Sequence, residues 1–204
     1  MMGTKIKICG LMSERDINYA NSLIPDFVGF VFVRGSRRYV SPDIAANLRM
    51  RLITSVMTVG VFVNEKFENA INMTRQGALD IVQLHGEESD DYIISLREII
   101  RRPIIKAFKI ESSADVTRAE SSPADFILLD NGVGGTGKAF DWTLARGIKR
   151  PFFLAGGLHP DNVRAAVDIA NPYAVDVSTG VEKDRVKDFE KMHKFIEAVR
   201  GEQK

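Results

Sequence analysis

The stretch KIKICGLMSERDINYANSLIPDFVGFVF, residues 5–32, contains one complete β–α–β unit. Short strand-like runs form its two ends. Between them, the segment 13–23 begins with Ser13 and has acidic residues in its first turn, as a capped helix does. Two strands separated by a helix are predicted to be parallel, because parallel neighbours need a crossover connection.

The same pattern continues to the end of the chain. Eight strand-like runs occur: KIKIC (5–9), FVGFVF (27–32), VMTVGVFV (56–63), DIVQLH (80–85), IIKAFK (104–109), DFILLD (125–130), FFLA (152–155) and YAVDVS (173–178). Segments of helical character include 13–23, 41–53, 65–77, 87–102 and 159–170, and 187–200 follows the last strand. The alternation predicts an α/β protein, and eight such units favour a (β/α)8 TIM barrel with one domain over 1–204. An open doubly wound sheet is the alternative, although no Pro-, Gly- or Ser-rich linker divides the chain.

The composition of the chain limits the kinds of partner that we expect it to bind. Lys and Arg number 28 against 27 Asp and Glu, so the formal charge of +1 gives no sign of binding to nucleic acid or anionic lipid. A single cysteine, no secretory signal pattern and no apolar run near ~18 residues favour a cytoplasmic protein without a membrane span. We expect a small-molecule or protein partner.

Cys9, the lone cysteine, ends the first strand, and barrel active sites lie at the C-terminal strand ends. Alternation along the strand puts Lys5, Lys7 and Cys9 on one face and Ile6 and Ile8 on the other. If the isoleucines pack against helices, Cys9 points into the barrel mouth, with Lys7 one layer below. The alternative is that Cys9 is a small buried hydrophobe.

Other strands also end in polar groups. Gln83 and His85 share one face of the fourth strand, Asp130 ends the sixth, and Asp176 and Ser178 share one face of the eighth. Singly, each has a structural explanation, such as an Asx-turn or a helix cap. Together they indicate an acid/base site, and the absence of HxH, HxxxH and CxxC spacings argues against a metal.

The loops after strands seven and eight are predicted to hold phosphate, as these two loops often do in such barrels. Backbone N–H groups of Gly156, Gly157, Thr179 and Gly180 are candidates to face the anion, with a hydroxyl from Ser178 or Thr179. The alternative is that these glycines only form turns.

Two further loops contain recognisable patterns. Arg34, Arg37 and Arg38 follow strand two, where an arginine fork could hold a carboxylate or simply be solvated. The stretch 131–140 nearly matches two nucleotide-binding motifs. It lacks the hydroxyl after its lysine and follows the sixth strand, so we expect a flexible loop over the site instead.

These motifs, in their order and spacing, resemble one enzyme family, phosphoribosylanthranilate isomerase of tryptophan biosynthesis. The resemblance rests on KICG, GFVFVRGSRRYVSP, VGVFVNE, VQLHGEE, GGTGKAFDW, AGGLHPDNV and AVDVSTGVE and covers nearly the whole chain. It implies a TIM barrel that performs an Amadori rearrangement on a phosphorylated aminosugar without a cofactor, as a monomer or homodimer.

The resemblance also implies roles for individual residues. Cys9 matches the general base, Asp130 the general acid and Arg38 the ligand of the anthranilate carboxylate. We expect the acid to need a pKa raised by partial burial, and the thiol to need help from Lys7 or from the cationic Schiff base. The alternatives are another phosphosugar isomerase or epimerase, or a non-catalytic phosphate-binding barrel.

Overall fold

The structure is a computed structural model that describes residues 3–77, 79–132 and 140–201. The barrel strands are β1 (Lys5–Cys9), β2 (Phe27–Val31), β3 (Met57–Phe62), β4 (Ile81–Leu84), β5 (Ile104–Lys109), β6 (Phe126–Asp130), β7 (Phe152–Leu154) and β8 (Ala174–Val177). The helices are α1 (Glu14–Leu23), α2 (Pro42–Arg51), α3 (Phe67–Gln76), α4 (Asp90–Ile100), α5 (Ser113–Glu120), α6 (Val163–Ala170) and α7 (Phe189–Arg200).

The eight strands form a closed barrel in sequence order. Each pairs in parallel with its neighbours, and β8 pairs back to β1, where Lys7 stands opposite Asp176. The predicted (β/α)8 barrel is therefore confirmed over the open sheet, and each of the eight strand-like runs contains one of its strands.

Helix starts follow the predicted signals. Ser13 caps α1 in a reciprocal capping box with Asp16, and Ser41 caps α2 ahead of Pro42. The sequence pattern did not single out α5, which buries only Val116 and Ala119. Its apolar stripe is too narrow to stand out from the polar residues around it.

The connection from β6 to β7 differs from the other crossovers. The described part of it contains a single 3₁₀ turn, Trp142–Ala145, instead of a full helix. This agrees with the short segment that the sequence offers there. After β8, a 3₁₀ turn (Thr179–Val181) leads into a small hairpin of β9 (Glu182–Lys183) and β10 (Val186–Lys187).

The buried side chains form two apolar clusters on opposite faces of the sheet. Ile6 and Ile8 belong to the larger cluster, between the barrel and the helices. The smaller cluster includes Phe27 and Phe153 and fills the barrel interior. The predicted parity of β1 is confirmed, because Lys7 points into the interior and Cys9 reaches the barrel mouth. Among the described helices, none has the length and apolar character needed to cross a bilayer.

A substitution at Phe153 tests the contribution of the interior cluster to stability. It is fully buried, and its ring centroid lies 5.5 Å from Phe27, 5.7 Å from Phe126 and 5.8 Å from Tyr173. Phe153→Ala should lower the free energy of unfolding by about 3–5 kcal/mol, because it removes apolar contacts and leaves a cavity. Urea denaturation followed by circular dichroism measures this loss.

Met50 supplies the control, since 77% of it is exposed on α2. Met50→Ala should change the free energy of unfolding by no more than about 0.5 kcal/mol. Equal losses in the two variants would contradict the assignment of Phe153 to the interior core.

Candidate active site

A cavity of about 590 Å³ opens at the C-terminal ends of the strands. Its lining includes Cys9, Arg38, Gln83, His85, Asp130, Gly156, Gly157, Asp176, Ser178 and Thr179. The strand ends thus bring together ten of the eleven residues that the sequence proposed for the site. A volume of this size suits a ligand of small-molecule dimensions.

Gly180, the eleventh residue, does not line the cavity. A side chain at this position would collide with the backbone carbonyl of Leu158 and with His159. The position therefore requires glycine because the loops after β7 and β8 approach each other here. The same two loops contribute Gly156, Gly157, Ser178 and Thr179 to the cavity lining.

A buried ion pair lies beneath Cys9. Lys7 has no exposed surface, and its Nζ donates to both carboxylate oxygens of Asp176, at 2.9 and 3.0 Å. Burial by itself lowers the pKa of Lys7, but Asp176 and then Cys9 outweigh it, so this pKa is raised. Lys7 therefore lies below Cys9 in the barrel, as expected from the strand alternation.

The pKa of Cys9 is raised above its usual value. Burial of the thiol is the largest cause, and the charge of Asp176 acts in the same direction. Lys7 and Lys187 act in the opposite direction without compensating for burial. The raised pKa favours the protonated thiol, and the charge of Lys7 alone does not offset the effect of burial.

A chain of hydrogen bonds links Gln83, His85 and Asp130. The Gln83 side-chain nitrogen Nε2 lies 2.8 Å from His85 Nδ1, and His85 Nε2 lies 3.4 Å from Asp130 Oδ2. Gln83 Oε1 is buried and has no hydrogen-bond partner among the described residues.

Asp130 has a pKa below its usual value, so the expectation of a raised pKa is wrong. Burial does raise this pKa. The bond and charge of His85, followed by the backbone N–H groups of Gly132 and Asn131, outweigh burial and lower it. The sequence correctly placed Asp130 in a partly buried position, but the donors around it were not visible in a strand pattern.

Arg38 lies against β1 and its guanidinium is paired with Glu182. Its Nε and Nη2 donate to the two carboxylate oxygens of Glu182, at 2.7 and 2.9 Å. A Cβ at Gly10 would overlap Arg38 Cδ, so the absence of a side chain after Cys9 lets the arginine stem cross there. Gly10 also has a φ of +80°, which favours glycine.

Glu182 and Lys187 are site residues that sequence reasoning did not identify. Lys187 is buried, and its Nζ donates to Glu182 Oε1 at 2.9 Å and to the Ser178 carbonyl at 3.0 Å. The sequence does show an acidic residue, Glu182, directly after the loop that follows the eighth strand, and this was the signal that could have identified it. The tight turn of the hairpin was harder to foresee, because it places Asp184 and Arg185 at positive φ.

The glycine-rich stretch belongs only partly to the described chain. Gly132 is described, whereas Gly134, Gly137 and Lys138 lie outside the described residues, so the predicted loop over the site stays a prediction. Within the described ranges, no three His, Cys, Asp or Glu side chains come together in a way that could hold a metal ion.

Comparison with known proteins gives a consistent result. The family model described as N-(5'phosphoribosyl)anthranilate (PRA) isomerase matches residues 6–198. The N-(5'-phosphoribosyl)anthranilate isomerase of Endomicrobium trichonymphae is 42% identical over 201 residues, which span 97% of this chain and 98% of the relative.

Solved structures agree with the sequence relatives. The phosphoribosyl anthranilate isomerase of Thermotoga maritima is 40% identical with a TM-score of 0.91, over 97% of this chain and 99% of that one. A phosphoribosyl anthranilate isomerase in complex with reduced 1-(o-carboxyphenylamino)-1-deoxyribulose 5-phosphate is 38% identical with a TM-score of 0.88, over the same shares. A further structure, with a TM-score of 0.87 and 38% identity over those shares, is of monomers of the dimeric Thermotoga maritima enzyme.

His85→Asn tests the cause of the low pKa of Asp130. The change removes the ring N–H and the ring charge that lower this pKa, so the pKa of Asp130 should rise. Carbon-13 NMR of labelled aspartate carboxyl groups, followed against pH, measures the shift. His193→Asn is the matched control, because His193 is exposed on α7 and pairs there with Glu197. A pKa unchanged by His85→Asn would contradict the proposed cause.

Proposed function

The chain belongs to the N-(5'-phosphoribosyl)anthranilate isomerase family, and we propose that Cys9 and Asp130 carry out the two main proton transfers of its reaction. It is an isomerase of tryptophan biosynthesis. It rearranges the aminoaldose N-(5'-phosphoribosyl)anthranilate into the aminoketose 1-(2-carboxyphenylamino)-1-deoxyribulose 5-phosphate. One observation supports the residue assignment: a thiol, a carboxyl group and a guanidinium line the same cavity.

Asp130 is proposed as the general acid. Opening of the furanose ring needs a proton on the ring oxygen while the amine nitrogen forms a Schiff base with C1. The substrate brings a carboxylate and a phosphate into the cavity, and nearby negative charge favours the protonated form of a carboxyl group. We infer that Asp130 takes up its proton as the substrate binds, which reconciles its lowered pKa with an acid role.

Cys9 is proposed as the general base. It removes the proton from sugar C2, and the resulting enolamine then becomes the ketone as its hydroxyl proton leaves and C1 gains a proton. The base must be a thiolate, although burial favours the thiol. The positive charge of the Schiff base, added to those of Lys7 and Lys187, stabilises the thiolate after the ring has opened.

The remaining polar groups are proposed to hold the substrate. Gln83 lines the cavity, and its buried Oε1 has no partner among the described residues, so this amide is proposed to accept from a donor on the ligand. His85 and Asp176 line the same space and suit the sugar hydroxyls. Arg38 is proposed as the ligand of the ring carboxylate.

The phosphate is proposed to lie between the loops after β7 and β8. Backbone N–H groups of Gly156, Gly157, Thr179 and Gly180 and the hydroxyl of Ser178 or Thr179 are the proposed donors. The Ser178 hydroxyl donates its one proton to the Cys9 carbonyl at 3.0 Å, so Thr179 is the better placed of the two hydroxyls to donate to the phosphate.

We propose that residues 1–204 act as one catalytic barrel in the cytoplasm, as a monomer or homodimer. The lone cysteine supports the compartment. A phosphorylated aminosugar is the proposed partner, rather than nucleic acid or a membrane, because the formal charge is only +1.

Loss of activity in single variants tests the acid and base assignments. Cys9→Ala and Asp130→Ala should each lower kcat by about 10²–10⁴-fold, because each removes one proton-transfer group. Decay of the fluorescence of freshly generated phosphoribosylanthranilate measures turnover, and circular dichroism checks the fold. Wild-type turnover in either variant would remove that residue from the mechanism. Met50→Ala, at an exposed position on α2, is the control that should keep full activity.

Arg38→Ala tests the carboxylate assignment. The variant should raise KM by about tenfold or more and change kcat little, because it removes binding made equally in the ground state and the transition state. Initial rates over a range of substrate concentrations give both constants. A KM at the wild-type value would contradict the assignment.

A further inference from the structure

We propose that Glu182 is a positioning residue that orients Arg38 and thereby gives the site its preference for a substrate with a ring carboxylate. Glu182 acts from outside the substrate, through the arginine. The inference rests on the proposed function, because it takes Arg38 to be the ligand of that carboxylate.

The pairing between the two side chains is bidentate. Arg38 Nε donates to Glu182 Oε1 at 2.7 Å, and Nη2 donates to Oε2 at 2.9 Å. Two parallel bonds between planar groups fix the plane of the guanidinium as well as its position. A lysine at position 38 would have no such constraint.

This pairing leaves the other edge of the guanidinium available. Arginine has five N–H donors, and Glu182 occupies the edge formed by Nε and Nη2. The end formed by Nη1 and Nη2 is a second edge that fits a carboxylate in the same bidentate way. Since Arg38 lines the cavity, that second edge is the one suited to a ligand carboxylate.

Glu182 itself is firmly held. Its side chain is only 5% exposed, and Lys187 Nζ donates to Oε1 at 2.9 Å. Lys191 Nζ donates to its backbone carbonyl at 2.8 Å, and Arg37 Nη2 donates to Oε2 at 2.9 Å. Burial raises the pKa of Glu182, but Arg38 and Lys187 lower it further than burial raises it, so the carboxylate stays ionised.

The charges of this cluster favour an anionic ligand. Arg37, Arg38 and Lys187 surround the single carboxylate of Glu182, so two of the three positive charges have no counterpart within the cluster. Glu182 therefore orients the cations without cancelling their attraction for an anion. An arginine that is already ordered loses less side-chain freedom when the ligand binds, which strengthens binding.

Two matched ligands test the proposal by calorimetry. The first is reduced 1-(o-carboxyphenylamino)-1-deoxyribulose 5-phosphate, and the second is the same compound made from aniline, without the ring carboxyl group. The ratio of their Kd values measures recognition of the carboxylate alone. Glu182→Gln should reduce this ratio by about ten- to hundredfold and leave the affinity for the aniline compound unchanged.

Steady-state kinetics give a second readout. Glu182→Gln should raise KM with little change in kcat, as expected for a loss of uniform binding. Asp184→Asn is the matched control, because it removes one negative charge from an exposed position of the same hairpin. It should leave both constants and the ligand preference at wild-type values.

The folding of each variant must be checked alongside the binding data, because Glu182→Gln leaves the buried Lys187 without its charged partner. The double variant Glu182→Gln, Lys187→Met removes both charges of the pair. It still removes the bidentate pairing between Arg38 and the carboxylate of Glu182. It should show the same loss of preference. Equal weakening of both ligands would overturn the proposal in favour of a purely structural role, and an unchanged preference would overturn it too.

Arg38→Ala separates this inference from the proposed function. If Arg38→Ala abolishes the carboxylate preference and Glu182→Gln keeps it, only the positioning role of Glu182 is wrong. If Arg38→Ala keeps the preference, the carboxylate assignment is wrong and the role of Glu182 is wrong with it. In the combined variant, the loss should be no larger than with Arg38→Ala alone, because both changes remove the same interaction.

Discussion

The ion pair between Lys7 and Asp176 is the constraint around which the rest of the site is arranged. It joins the first and last strands of the barrel at the register position where the sheet closes. A charge in this interior is tolerable only when it is paired, and removal of one partner from a buried pair typically costs about 3–5 kcal/mol. The same pair lies next to Cys9, so barrel closure and the surroundings of the thiol depend on one contact.

The protein groups around Cys9 and Asp130 oppose both proposed proton transfers. Burial keeps Cys9 protonated, and His85 with its neighbours keeps Asp130 ionised. Each group is thus in the protonation state opposite to the one that its proposed role requires. Charges brought by the substrate act in the needed direction on both groups, since its anions favour a protonated Asp130 and its Schiff base favours a thiolate.

The sequence predicted most of the fold because the strand periodicity is strong and repeated. Alternation along β1 was enough to put Lys7 and Cys9 inside the barrel, and polar strand ends identified Gln83, His85 and Asp130. The sequence could not predict the direction of the pKa shift of Asp130, which depends on donors from other strands and loops. Glu182 was missed for a related reason, because its two arginine partners come from the loop after β2, which lies far from it in sequence.

The position of the closing ion pair also bears on the order in which the molecule can be built. Lys7 and Asp176 are 169 residues apart, and synthesis of the chain begins at the end that contains the lysine. Until the eighth strand has been synthesised, Lys7 has no counterion on the face of β1 that will become the barrel interior. The cost of burying an unpaired charge opposes early closure of the barrel. Closure must then wait for a contact between distant parts of the chain, which is a slow event for parallel sheets. Lys7 is next to Cys9 from the start, whereas Asp176 and Lys187 reach the thiol only after the eighth strand and the hairpin have been synthesised.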